Sequence, residues 1–328
     1  MRLRITAQAI YDELTARGMD VQIVPLQSTQ ALIFDYKGAM RVIIGANPDI
    51  ASASARTTAQ AKDMTYAIVK RDGITTIPAT QSYADNKAAK KFLQAHRQIV
   101  IKPVDGAHGN GVTTNITQFS QIGDAVSVAL THSKSKQVIM QQQISGIDLR
   151  VLIIDRECVG VVCREPASVV GNGSDTVAAL IQQENTHNRD RGTEPYTKKM
   201  NKIELDVVNR YLNSEQLLSV PDQGEVFQVV GTANIGTGGR SLECRADIPQ
   251  VIIDQAIGLT TTIGTFICGV DFLYDKQKNI WHLLEINTSP SFGLHMMPSE
   301  GEAIPDLPKI YVDKLLKKYN EGIYEFKA

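Results

Sequence analysis

Three oxygen-bearing side chains near the C-terminus, Asp271, Glu285 and Asn287, are spaced so that they could hold a cation. They lie on two runs, Gly269-Val270-Asp271-Phe272-Leu273-Tyr274 and Ile280-Trp281-His282-Leu283-Leu284-Glu285-Ile286-Asn287. The polar stretch Asp275-Lys276-Gln277-Lys278-Asn279 between them gives the pattern of a β-hairpin. Placing Tyr274 opposite Ile280 puts Asp271 opposite Leu283, and period-two alternation then sets all three side chains on one face. Two carboxylates on a diagonal, roughly 7–8 Å apart, repel unless a positive charge lies between them. Hard oxygen donors in this arrangement suit Mg²⁺. Taken alone, the segment is explained more simply as the polar outer face of an edge hairpin, so the cation reading depends on partners elsewhere.

The first partner is a phosphate-type loop. The apolar run Ile99-Val100-Ile101 ends in Lys102-Pro103, and Asp105-Gly106-Ala107-His108-Gly109-Asn110-Gly111 follows. Glycines let backbone N–H groups approach an anion, and a strand-end lysine adds a point charge for a phosphate. The loop continues Val112-Thr113, without the Lys and Ser/Thr of a P-loop, which excludes Walker-type NTPases. A tight turn between two strands explains the loop equally well, and His108 reads as a loop residue rather than a catalyst.

Two arginines come next. Asp148-Leu149-Arg150-Val151-Leu152-Ile153-Ile154 and Cys158-Val159-Gly160-Val161-Val162-Cys163-Arg164 flank the turn Asp155-Arg156-Glu157. Pairing Ile154 with Cys158 puts Arg150 and Arg164 on one face, with Asp148 opposite Arg164. Two guanidiniums could clamp an acyl phosphate or a carboxylate bidentately; a structural Asp148–Arg164 pair is an equally cheap explanation. Asn234-Ile235-Gly236-Thr237-Gly238-Gly239-Arg240 offers a second glycine-rich loop with an amide and an arginine, or simply a flexible loop.

The elements that must position these groups are those of an α+β chain. A helix-like stretch from Ala7 to Arg17 and strands at Val21–Val24, Ala31–Phe34 and Arg41–Ile44 make a small α/β lobe. The alanine- and threonine-rich stretch from Ala51 to Lys70 reads as one helix closing at Asp72-Gly73, and Pro78 marks entry to the next unit. From Ile99 the pattern is strand, glycine loop, strand, helix (Ile122 to Leu130) and strand (Val138 to Met140). From Asp148 strands dominate, with polar loop-and-helix material between Gly171 and Asn213. No repeat with a period of 20–50 residues is visible. The expected division is 1–60, 61–146 and 147–328, with clefts between the lobes as natural ligand sites.

Composition bounds the partners. The chain has 328 residues, 43% hydrophobic and 21% charged, enough for two or three packed lobes. A formal net charge of −1 and the lack of any Lys/Arg run argue against nucleic acid and for small-molecule partners. No run approaches the ~18 apolar residues of a membrane span, and the start lacks a signal-peptide core. Cys158, Cys163, Cys244 and Cys268 form no CxxC pair and are expected to be reduced core residues of a soluble cytoplasmic protein.

Taken in order, these pieces resemble the ATP-grasp superfamily, and within it the branch containing cyanophycin synthetase and the C-terminal module of bifunctional glutathione synthetases. The resemblance is carried by Ile101-Lys102-Pro103 with its glycine loop, Gly146-Ile147-Asp148-Leu149-Arg150, and Arg164-Glu165-Pro166-Ala167-Ser168-Val169-Val170-Gly171-Asn172-Gly173 with Thr176 and Leu180-Ile181. Further matches are Asn185 with Arg191-Gly192, Asn234 with Gly236-Thr237-Gly238-Gly239, Gly269-Val270-Asp271, Glu285-Ile286-Asn287, and Pro290 with His295 and Pro298. It runs from about Lys62 to the C-terminus, behind a small α/β lobe.

The resemblance implies an ATP-grasp fold, two lobes gripping ATP, and an ATP-dependent carboxylate–amine ligase working through an acyl phosphate. Its substrates would be amino acids or short peptides, and a homo-oligomer is compatible with it. Lys62 and Lys102 would reach the ATP phosphates under Gly106, Gly109 and Gly111. Gln141, Gln142, Gln143 and Ile144 would form the hinge over adenine, and Asp148 would hold the ribose. Asp271, Glu285 and Asn287 would hold Mg²⁺, two ions with Mn²⁺ as a substitute. Arg150, Arg164, Asn234, Gly238 and Gly239 would face the transferred phosphoryl group. The chain departs from the pattern at Gln141, where relatives usually carry an acid, and at Gly171-Asn172-Gly173, where they carry Gly-Asp-Gly. Neither a Mur-ligase-like half after the module nor a glutamate–cysteine ligase half before it is visible in the sequence, so the substrate does not carry over. A phosphotransferase on the same fold and a nucleotide-binding module without chemistry are the rival readings.

Overall fold

The computed structural model describes residues 3–26, 29–105, 109–189 and 200–322. Helix α1 (Ile5–Ala16) leads into an antiparallel sheet of β1 (Val21–Pro25), β2 (Gln30–Tyr36), β3 (Ala39–Ile44) and β4 (Asn47–Pro48). The stretch expected to be one helix is two, α2 (Ala53–Gln60) and α3 (Lys62–Asp72). Ser52 caps α2 by accepting from the Ala55 N–H, while Ala61 adopts extended backbone and breaks the run. Lys62 therefore opens a fresh helix, which Gly73 closes in the left-handed conformation.

The second unit is the antiparallel sheet β5–β8–β6–β7, built from β5 (Thr80–Ser82), β6 (Ile99–Pro103), β7 (Thr113–Ile116) and β8 (Val138–Gln142). Helices α4 (Asn86–His96) and α5 (Ile122–His132) cover it, burying Phe92, Leu93, Ile122 and Ala129 against Ile99, Ile101 and Met140. The third unit is the antiparallel sheet β13–β10–β9–β14–β15: β9 (Ile147–Ile154), β10 (Glu157–Glu165), β13 (Arg240–Glu243), β14 (Ile267–Asp275) and β15 (Ile280–Asn287). Between β10 and β13 the chain makes a satellite with its own core, from β11 (Ser168–Val170), α6 (Val177–His187), α7 (Leu205–Tyr211), α8 (Ser214–Leu218) and β12 (Val226–Gln228).

The third sheet has two different faces. One packs Leu149, Val151, Ile153, Val161, Val270 and Phe272 on Ile252, Ile253, Ala256 and Leu259 of α9 (Gln250–Ile263). The other is divided along its length. Leu152, Ile154 and Ile267 join a core shared with α1, β2 and α11 (Leu307–Glu321), beyond the short α10 (Gly293–Met296). The remaining stretch of that face carries Asp148, Arg150, Arg164, Asp271 and Glu285. Sheet alternation thus lets one surface be half core and half site.

Both site hairpins differ in register from the sequence expectation. Asp275 pairs with Ile280 and Tyr274 with Trp281; a bulge then leaves Leu284 over, so Asp271 lies opposite Glu285 and not opposite Leu283. In the other hairpin Ile154 pairs with Glu157 rather than Cys158, around a turn whose Asp155 and Arg156 have positive φ. A bulge at Val159 restores the Asp148–Arg164 pairing. The expectation of four reduced cysteines is also corrected. Cys163 and Cys244 are disulfide-bonded, with Cα atoms 5.9 Å apart across 81 residues, because β10 and the end of β13 are sheet neighbours. Cys158 and Cys268 are free thiols.

Candidate active site

Asp271 is the centre of a buried charge network. Its residue is 1% exposed, and its two oxygens accept from Nε and Nη2 of Arg150 and from Nη2 of Arg164, the latter two contacts at 2.7 and 2.8 Å. Arg164 also donates through Nε to Asp148 Oδ1 at 2.8 Å. The structural pairing of Asp148 with Arg164 is thus present, and the guanidiniums face carboxylates of the same sheet. Burial alone would raise Asp271, but the combined charges of Arg150 and Arg164 outweigh it and hold the carboxyl below its ordinary range. At Asp148 burial wins over Arg164 and raises the carboxyl to about 6. Arg150 reaches Asp271 by lying flat over Gly269, where a Cβ would come within 2.6 Å of Arg150 Cδ.

Glu285, opposite Asp271, is the open member of the hairpin, with 37% of its side chain exposed and Lys62 Nζ 3.6 Å away. Asn287 lies opposite Gly269, so its side chain leaves the same face, and its Oδ1 accepts from the Ser289 N–H at 2.9 Å. Among the described residues no group of three or more His, Cys, Asp or Glu converges. The candidate cation set is two carboxylates and an amide carbonyl. That chemistry fits Mg²⁺. A carboxylate has about four acceptor positions, three of which Asp271 uses for guanidinium, so one remains.

The lysines approach Glu285 from two other elements. Lys62 comes from the first turn of α3, and Lys102 from β6 of the second sheet. Lys102 is 8% exposed and donates to Gln141 Oε1 at 2.7 Å. Burial lowers its ammonium to about 8, with the Glu285 charge opposing. Gln141 is turned inward, donating through Nε2 to Tyr66 Oη at 3.2 Å and Thr80 Oγ1 at 3.0 Å. Gln143 reaches Asn115 on β7, accepting from the Asn115 N–H and donating to Asn115 Oδ1. Gln142 and Ile144 are half-buried beside the entry to β9.

Gly106, His108 and the Arg191-Gly192 pair lie outside the described residues. Gly109 and Gly111 have positive φ, and Gly109 sits against Thr232, near Asn234. The Asn234 loop is a defined turn: Asn234 Oδ1 accepts from the Gly236 N–H at 2.9 Å, and its carbonyl accepts from the Gly239 N–H at 3.0 Å. Gly239 must lack a side chain there, since a Cβ would lie 2.8 Å from the Asn234 and Glu165 carbonyl oxygens. The turn is fastened to the satellite by Arg189 Nη1 on the Gly238 carbonyl and by Asn201 Nδ2 on the Ile235 carbonyl at 2.9 Å.

Sequence reasoning missed Tyr66, Arg189 and Thr80. Tyr66 could have been found from its i+4 spacing to Lys62 on a helix; the other two carry no local signal. His295, quoted above only as part of a motif, is 2% exposed over Gly160, and its ring nitrogens have no hydrogen-bond partner among the described residues. Burial, reinforced by the charges of Arg150 and Arg164, lowers it to about 3, so the ring is neutral.

The family description of the prokaryotic glutathione synthetase ATP-grasp domain matches residues 69–214. The chain contains an ATP-grasp domain. This domain is related to those of cyanophycin synthetase and bifunctional glutathione synthetase. Cyanophycin synthetase of Geminocystis herdmanii is 35% identical over 227 residues, covering 67% of this chain and 26% of that protein. The glutathione biosynthesis bifunctional protein GshAB of Pasteurella multocida is 24% identical over 316 residues, covering 92% of this chain and 41% of that protein. The crystal structure of a bifunctional glutathione synthetase from Pasteurella multocida superposes with a TM-score of 0.66 at 22% identity, covering 97% of this chain and 44% of that one. That likeness shows a shared fold over nearly the whole chain. The chain spans between a quarter and a half of the lengths of these relatives. No described helix is long and apolar enough to cross a membrane.

Proposed function

We propose that this chain is an ATP-dependent ligase that joins a carboxylate to an amine through an acyl phosphate, acting on an amino acid or short peptide. The observation that carries the reading is Lys62 lying 3.6 Å from Glu285, with Lys102 close enough to feel the Glu285 charge, beside the Arg150–Asp271–Arg164 network. Such a site supplies charge neutralisation and alignment rather than a nucleophile, which is what phosphoryl transfer asks of a protein.

In this reading Lys62 and Lys102 hold the ATP phosphates, and Gln141 to Ile144 with Asp148 border the nucleoside. Asp271, Glu285 and Asn287 would hold Mg²⁺, as two ions, which would neutralise the phosphate charges. The substrate carboxylate attacks the γ-phosphate, ADP departs, and the amine displaces phosphate from the acyl group. Arg150 and Arg164, with Asn234, Gly238 and Gly239, face the transferred group. Asp148 and Asp271 hold the guanidiniums in place beforehand, so little reorganisation is needed when anionic charge arrives. The ATP requirement fits a cytoplasmic reaction.

A phosphate-release screen with Mg²⁺–ATP against pooled amino acids and dipeptides, followed by mass analysis, tests the proposal. The expected product has the combined mass of two substrates less one water, with ADP and phosphate formed. A stable phosphoester formed without any amine requirement would assign a phosphotransferase instead. ATP binding with no turnover across the panel would assign a binding module.

A further inference from the structure

Tyr66 has no role in the reading above, yet its hydroxyl lies between the two lobes. It is 4% exposed and donates to the Leu284 carbonyl at 2.7 Å. It accepts from Gln141 Nε2 at 3.2 Å and lies 3.5 Å from Lys102 Nζ. Leu284 is the bulge residue of β15. It has no opposite number on β14, because Leu283 pairs with Phe272 and Glu285 with Asp271. A bulge frees its extra residue from the ladder and re-aims its neighbours. Here the neighbour is Glu285, and the bulge carbonyl is met by Tyr66. On the other side, Gln141 Oε1 accepts from Lys102, and Thr80 Oγ1 accepts from Gln141, which fixes which way the amide points. One phenol therefore links the backbone beside the proposed metal carboxylate to the ammonium proposed for a phosphate.

We propose that Tyr66 is a positioning residue that sets the separation of Lys102 from Glu285, so that Mg²⁺ and the ATP phosphates are bound as one unit. The inference rests on the nucleotide site proposed above. A packing role is the alternative, since the ring also sits against Val104 and Ile139. Tyr66→Phe keeps the ring and removes only the hydroxyl, so packing alone predicts unchanged nucleotide binding.

Titrating ATP into wild type and Tyr66→Phe, with and without Mg²⁺, separates the two. The expected result is about tenfold weaker Mg²⁺–ATP binding in Tyr66→Phe, the effect of one well-placed buried hydrogen bond. ATP without Mg²⁺ should be less affected, so the gain in affinity that Mg²⁺ confers shrinks. Thr80→Val, which releases Gln141 without disturbing the Tyr66 ring, should shift affinity in the same direction by less, and it carries the test if Tyr66→Phe does not fold. Wild-type affinity and Mg²⁺ gain in a folded Tyr66→Phe, or in Thr80→Val where that variant alone folds, overturn the inference and leave the nucleotide site standing. Wild-type protein that does not bind Mg²⁺–ATP overturns both.

Discussion

At Glu285 activity and stability can be separated. Its side chain is 37% exposed and Lys62 Nζ is 3.6 Å away, so Glu285→Ala should change the melting temperature little while abolishing Mg²⁺-dependent turnover. Near-normal turnover in a folded Glu285→Ala protein contradicts the cation site. Lys102 offers a pH test. Burial lowers its ammonium from 10.5 to about 8. A polyphosphate favours the charged form, so ATP binding near pH 8 should take up protons, and affinity should fall as pH rises above that value. Calorimetry in buffers of different ionisation heat reads this directly; an enthalpy independent of buffer at pH 8 contradicts it. Stability has its own sign. Between about 8 and 10.5 the unfolded chain binds more protons than the native one, so the Lys102 contribution makes the fold more stable as pH rises through that window. The kinds of residue at the site were legible because charged side chains at strand ends stand out. Their partners were not: Arg150 on Asp271 and Gln141 on Lys102 require knowing which strands become neighbours 121 and 39 residues apart.

At the scale of the element, the site depends on how β9 and β14 touch. Arg150 lies over Gly269, and a methyl group there would meet Arg150 Cδ at 2.6 Å. Gly269→Ala should therefore push the guanidinium off Asp271, a buried partner whose loss costs roughly 3–5 kcal/mol. Ile267→Val, on the same strand but within the apolar half of that face, should cost only about 0.5–1.5 kcal/mol. Equal denaturation midpoints for the two variants would contradict this account of Gly269. Both hairpins were visible as alternating runs around polar turns. Neither bulge was, since an extra residue leaves no mark in a hydrophobic pattern. In the C-terminal hairpin the turn and the Leu284 bulge each shift the pairing by one. Two shifts restore the face, which is why Asp271 and Glu285 share a side despite the wrong opposite residues. The break at Ala61 was hidden for a related reason, because alanine and threonine do not announce a helix end.

At the scale of the molecule, the first lobe and the last helix share one core. Ile10 and Leu14 of α1, Leu32 and Phe34 of β2, and Tyr311 and Leu315 of α11 pack together with Leu152 and Ile154 of the site sheet. Tyr311 also donates to the Ala46 carbonyl at 2.9 Å, and Tyr319 to Asp49 at 2.7 Å. Leu315→Ala should thus cost about 2–5 kcal/mol, and hydrogen exchange should rise in residues 30–44 as well as in 307–321. Exchange confined to the helix would contradict a shared core. Pro78 and the helical stretch before it pointed to a boundary near there, but the return of the C-terminus onto the first lobe left no sequence signal. Lys62, the arginine pair and the carboxylate hairpin come together only when separate elements fold onto one another. The reaction assigned to that site has one direct signature. With the carboxylate donor found by the screen labelled with oxygen-18, attack on the γ-phosphate must carry one labelled oxygen into the phosphate released with the amide. The account predicts that labelled phosphate; phosphate formed without the label, while amide accumulates, would contradict it.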